Sequence, residues 1–216
     1  MKIIYCISGL GADERAFSKL NITGDYRLKV LRWLLPEKKE TIEHYAARMA
    51  EQIEEKDPIM IGLSFGGMIC IEIAKLVPVQ KIILVSSIRT AKELPPWLKL
   101  TAFFRLHKIM PLRSSRFSAP IQNRMLGVIN DDDLQVARQY RKNADIHYVK
   151  WAVDKVVNWK NQWLHPDTVQ IHGTKDKMFP LKYTSPTYLV KDGGHFMIMN
   201  RATEVSDLIN AILQGG

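Results

Sequence analysis

Along most of the chain, short unbroken apolar runs alternate with stretches in which apolar residues recur every three or four positions. Unbroken runs suit strands covered on both faces, and the three-to-four spacing suits the helices that cover them. The runs predict strands at Lys2–Ile7, 27–33, Ile59–Leu63, 81–86, 168–172 and 187–190. Between them, Thr41 can cap a helix over 42–53 that lines up Ile42, Tyr45, Ala46, Met49 and Ile53. A last helix is expected over 201–213, with Asn200 as N-cap and Val205, Leu208, Ile209, Ile212 and Leu213 on one stripe. The alternation predicts an α/β fold with a parallel sheet of about six strands and helices on both faces.

The pattern breaks over residues 88–165, where helical spacing continues without a strand signal, as in DDLQVARQYRKNA and DIHYVKWAVDKVVNW. A helical insertion after the fourth strand is the expectation, within one domain spanning residues 1–216. The run Asp131-Asp132-Asp133 opens one of these helices. Three acids there complement the positive end of a helix dipole, and no clustered His or Cys completes a transition-metal site, so no metal is expected.

Charge changes the picture of this insertion. The net charge of the chain is +9, and residues 89–160 hold 14 Lys and Arg against 6 Asp and Glu. That excess fits either a solvated face or attraction of an anionic substrate or surface. No nucleic-acid motif accompanies it, and nucleic acid is not the expected partner. The opening MKIIYCISGLGADER lacks the long apolar core of a signal peptide, and no run approaches the ~18 apolar residues of a membrane span. A cytoplasmic protein is expected. Cys6 and Cys70 form no disulfide or metal-ligand spacing and are read as buried apolar groups.

Candidate chemistry begins at Gly62-Leu63-Ser64-Phe65-Gly66, a G-x-S-x-G sequence between a buried strand and the helical pattern MICIEIAKL. A flexible glycine turn could carry the same pentapeptide. Its alternative is a sharp elbow that lifts the Ser64 hydroxyl above the carboxyl edge of the sheet, beside a helix N-terminus that stabilises negative charge. A serine nucleophile needs a base held by a third group. Downstream, Asp176 follows the strand Val169-Gln170-Ile171-His172, and His195 follows Tyr188-Leu189-Val190 after two glycines. Serine, acid and histidine, each after a strand of a parallel sheet, fall on one edge of the molecule. Asp192 is the rival acid, but it stands too near His195 in the chain to reach the far side of the ring. The other five histidines lie in helical, linker or mid-strand contexts and are read as structural or solvated.

With G-L-S-F-G-G, H-G-T-K-D-K-M-F-P, G-G-H-F and S-G-L-G in place, the chain resembles the α/β-hydrolase superfamily in its small single-domain form. The resemblance covers nearly the whole chain. It implies Ser64 as nucleophile, His195 as base and then acid, Asp176 as the group that orients the imidazole, and an oxyanion hole from the N–H groups of Leu10 and Phe65. It also implies that the insertion forms a lid over the serine. Trp97, Phe103, Phe104 and Met110 would then be its aromatic and apolar walls or simply core, and Arg105, Lys108, Arg113, Arg116 and Arg124 would meet an anionic substrate group or keep the lid soluble. Two departures stand out: Ser8-Gly9 replaces the usual His-Gly, and the chain starts at the family's third strand. The implied activity is a serine hydrolase for a small-molecule carboxylic ester or related acyl compound, with no cofactor. Thioesterase, carbon–carbon hydrolase, lyase and perhydrolase chemistry, or a receptor with little turnover, share the same frame. Substrate, chain length and oligomeric state are not written in these motifs.

Overall fold

A computed structural model describes residues 1–109 and 118–215. Six strands, β1 (Lys2–Ile7), β2 (Tyr26–Val30), β3 (Ile59–Leu63), β4 (Lys81–Val85), β5 (Thr168–Gly173) and β6 (Tyr188–Val190), form one sheet in the order β2-β1-β3-β4-β5-β6. Every pairing is parallel. The apolar runs become strands because both faces are covered. On one face lie α1 (Ile42–Ala50), α2 (Phe65–Ala74) and parts of the insertion, over Tyr5, Ile7, Met60, Ile82 and Leu84. On the other, α8 (Met197–Asn200) and α9 (Ala202–Gln214) pack over Ile4, Cys6, Ile61, Ile83 and Val85. The alternating side chains of each strand thus enter two separate cores.

Between β4 and β5 the chain forms α3 (Pro96–Phe103), α4 (Leu106–Ile109), α5 (Ala119–Leu126), α6 (Asp131–Asn143) and α7 (Ile146–Val157), with no strand among the described residues. Thr41 caps α1 by accepting from the His44 N–H at 3.2 Å. Asp145 caps α7 by accepting from the N–H groups of His147 and Tyr148. Asn130 caps α6, and Asp131, Asp132 and Asp133 fill its first turn. Both cysteines are free and fully buried, Cys6 in β1 and Cys70 in α2. No helix among the described residues is long and apolar enough to cross a membrane.

Three local expectations change. The second strand ends at Val30 rather than 33, because β1 offers no partner beyond the bond from the Leu31 N–H to Cys6 O. Leu34 instead bonds through both its N–H and its carbonyl to the Tyr45 hydroxyl. Helix α1 stops at Ala50 rather than 53, and Ile53 still packs against the core after a final turn. Asn200 is not the cap of the last helix: it ends α8, and its side chain is drawn to the insertion instead.

Candidate active site

Strand order places the site. From β1 the chain moves outward to β2 and then crosses back to β3, so the connections after β1 and β3 leave in opposite directions and open a crevice at their carboxyl ends. Ser64 follows β3, and Gly9 follows β1; a Cβ at Gly9 would lie 3.5 Å from the Ser64 Cβ. The first loop and the serine are therefore neighbours.

At Ser64 the backbone has φ 52° and ψ −119°, a strained conformation for a residue with a side chain. It is fixed by its surroundings. The Ser64 N–H donates to Val85 O at 3.0 Å, and the Ser64 carbonyl accepts from the Ser87 hydroxyl at 2.6 Å. A Cβ on Gly62 would collide with the backbone of Gly67, and on Gly66 with the carbonyls of Ile7 and Ser8. These glycines let α2 start directly against β1 and β3, which is the elbow that the spacing predicts.

The three separated residues meet there. The His195 Nε2 lies 2.8 Å from the Ser64 Oγ, and its Nδ1 lies 2.8 Å from the Asp176 Oδ2. A carboxylate only accepts, so the proton sits on Nδ1 and leaves Nε2 free to take the serine's proton. The other carboxylate oxygen, Oδ1, accepts from the N–H groups of Met178 and Phe179 at 2.8 and 2.9 Å. Burial would raise the Asp176 carboxyl, but the charge and hydrogen bond of His195, aided by His172 and the Phe179 N–H, outweigh it and hold it below its ordinary value. Asp192 does not touch His195; it is exposed and pairs with Lys175 at 2.9 Å.

Around this chain of bonds the first loop takes a specific shape. The Ser8 hydroxyl donates to Ala12 O at 2.9 Å and accepts from the Trp33 Nε1–H at 2.8 Å. Ser8 thereby shapes the turn in its own way. The N–H groups of Leu10 and Phe65 meet no acceptor among the described residues. Trp33 also stacks on Phe65, with centroids 5.6 Å apart and planes 16° apart, and Tyr148 and Trp151 of α7 extend the cluster.

His195 is held from two sides. The Lys175 N–H donates to Gly193 O from the loop after β5. From the insertion, Leu126 O accepts the Phe196 N–H at 2.7 Å, and the Asn200 Nδ2 donates to Gly127 O at 3.1 Å and to the Asp133 Oδ2 at 2.7 Å. A Cβ on Gly127 would come within 3.0 Å of the Gly194 Cα, so the two segments touch through glycines. Asp133, 1% exposed, also accepts from the Ile129 N–H. His172, inside β5, donates from Nε2 to Phe179 O at 2.7 Å and lies 3.7 Å from the Asp176 Oδ2. It steadies the loop that carries Asp176.

Of the aromatic residues expected near the substrate, Trp97, Phe103 and Phe104 are exposed, while α3 buries Leu98 and packs Ala102 inward. Met110, Arg113 and Arg116 lie outside the described residues; Arg105, Lys108 and Arg124 are exposed. Trp33 and Trp151 flank Phe65, and sequence reasoning missed both: Trp33 reads locally as the end of a strand, and Trp151 is signalled only by its i, i+3 spacing from Tyr148. A surface cleft of about 450 Å3 between α1, α2 and the segment after α7 includes none of Ser64, Asp176 or His195. Glu37, Glu40 and His44 lie close enough to hold an ion, but Glu40 is already taken by Arg48 at 2.9 Å and by the Glu37 N–H.

The sequence matches the alpha/beta hydrolase family over residues 9–208. No match is found among curated protein sequences. Similar solved structures include a thermophilic esterase from Thermogutta terrifontis, 17% identical with TM-score 0.71, covering 100% of this chain and 90% of that one. A putative lipase from Acinetobacter baumannii AYE is 14% identical with TM-score 0.74, covering 100% and 86%. A bromoperoxidase from Bacillus anthracis is 14% identical with TM-score 0.70, covering 99% and 92%. At these identities the likeness is one of fold. With the family matched over most of its length and six parallel strands carrying the elbow at the carboxyl edge, the chain belongs to the alpha/beta hydrolase family.

Proposed function

We propose that this hydrolase cleaves a carboxylic ester or related acyl compound through an acyl-enzyme on Ser64. The observation that carries the reading is the continuous chain from Ser64 through His195 to Asp176, with 2.8 Å at both steps. The Ser64 Oγ attacks the acyl carbon as His195 Nε2 takes its proton, and Asp176 stabilises the imidazolium. The N–H groups of Phe65 and Leu10 receive the developing oxyanion, each such donor typically contributing ~10²–10³-fold. His195 then protonates the leaving alcohol. A water, deprotonated by the same nitrogen, attacks the acyl carbon, releases the acid and restores Ser64. Trp33 and Trp151 give the elbow an apolar flank in which these charges are less screened by water.

A fluorophosphonate probe tests the reading directly. Wild type should label stoichiometrically and turn over some member of a p-nitrophenyl ester series from acetate to decanoate, and Ser64→Ala and His195→Ala should do neither. Ser64→Ala should lower kcat by about 10⁶-fold. Turnover surviving in a folded Ser64→Ala variant, or a folded wild type that does not label, overturns it.

A further inference from the structure

Residues 94–130 contain six Lys and Arg, namely Lys99, Arg105, Lys108, Arg113, Arg116 and Arg124, and no Asp or Glu. The same stretch exposes an unusual amount of apolar surface. In α3, Leu98 is buried and Ala102 packs inward, yet the outer face presents Trp97, Leu100 (56% exposed), Phe103 (79%) and Phe104 (59%). Leu106 of α4 and Ile121 of α5 are exposed as well. A helix on a water-facing surface normally turns polar residues outward; α3 is apolar on both sides, with Lys99 its sole charge.

This face is not a frayed end. The His107 Nε2 is 3.0 Å from the Asp154 Oδ1 of α7, and the Phe103 and Phe104 rings pack edge to face, centroids 5.0 Å apart. The bends between α3 and α4 are therefore docked on α7 with their large apolar groups turned away from it. Lys99, Arg105 and Lys108, in or beside α3 and α4, are exposed, as is Arg124 of α5.

We infer that the outer face of α3 and α4 docks on an anionic lipid surface, with Trp97, Leu100, Phe103 and Phe104 entering the interface and the exposed Lys99, Arg105 and Lys108 meeting lipid phosphates. Large exposed apolar groups interspersed with basic residues are what such an interface takes up: apolar area is buried among acyl chains, and each cation is drawn to the negative surface. A second copy of the chain is a poor occupant, because pairing two such faces sets like charges against each other. Nucleic acid would satisfy the charge but leaves Leu100, Leu106 and Ile121 without the base stacking that aromatic groups find there.

Docking is independent of the proposed reaction, so binding is measured without reference to turnover and in Ser64→Ala as well as wild type. Co-sedimentation with vesicles of phosphatidylcholine alone and of phosphatidylcholine with phosphatidylglycerol reads it out. Binding should require phosphatidylglycerol and weaken as salt is raised from 20 to 500 mM, as surface charges do on the order of the Debye length. The variant Lys99→Gln/Arg105→Gln/Lys108→Gln should bind about hundredfold more weakly. Phe103→Ser/Phe104→Ser, on exposed positions that the fold does not need, should lose the blue shift of tryptophan fluorescence on binding. No vesicle binding, equal binding to both vesicle types, or tighter binding to a single-stranded oligonucleotide than to anionic vesicles overturns the inference. So does self-association of the free protein that the phenylalanine variant abolishes.

Discussion

Ser64 sits where a glycine would be more comfortable. At φ 52° and ψ −119° a Cβ costs on the order of 1–3 kcal/mol, and the surrounding bonds to Val85 and Ser87 hold it there regardless. The hydroxyl is thus presented to His195 by strain that the rest of the molecule sustains. Ser64→Gly should accordingly be more stable to urea than Ser64→Ala by about 1 kcal/mol, although both lack the hydroxyl. Equal midpoints for the two would mean that the elbow is relaxed. The neighbouring glycines act by a different route: at Gly62 and Gly66 it is the close approach of backbone, not the sign of φ, that excludes a side chain.

Among the elements, the turn between α5 and α6 ties the insertion to the loop of His195. Asn200 bridges Gly127 O and the buried Asp133, so removing its amide leaves a buried carboxylate short of a donor. Asn200→Ala should lower stability by about 2 kcal/mol. In a double-mutant cycle with Asp133→Ala the two losses should fall short of additive by about 1 kcal/mol, as expected of groups that share a bond; strict additivity in urea unfolding would show that the bond contributes nothing. This clamp explains what the sequence conceals. Asn200 reads locally as a helix cap, and nothing near it in the chain announces Asp133, 67 positions away. The end of β2 was likewise hidden, since it depends on where β1 stops offering partners. By contrast the meeting of Ser64, Asp176 and His195 was legible because each stands at a local strand-to-loop signature, and parallel topology then brings those strand ends together.

For the molecule as a whole, acid should be destabilising in two successive windows. Burial holds the His172 imidazole below its ordinary value of 6.5, against the opposing pull of Asp176 and the Phe179 carbonyl. Below about pH 6.5 the unfolded chain therefore binds a proton that the folded one refuses, and stability falls as pH drops toward the depressed folded value. Asp176, also depressed, adds stability above its ordinary value of 3.8 that is lost as pH falls through its folded value. Replacing His172 with Gln should flatten the first window; urea midpoints at pH 7.0 and 5.5 that differ as much in the variant as in wild type would refute this. A last consequence comes from the two thiols. Cys6 and Cys70 are fully buried and held in their neutral, unreactive form by that burial, and Cys70 lies under the elbow, its sulfur 2.9 Å from where a Cβ on Gly62 would stand. An electrophile that prefers sulfur can reach them only in molecules whose core has already opened, so loss of function under such a reagent counts open molecules and says nothing about what occupies the crevice beside Ser64.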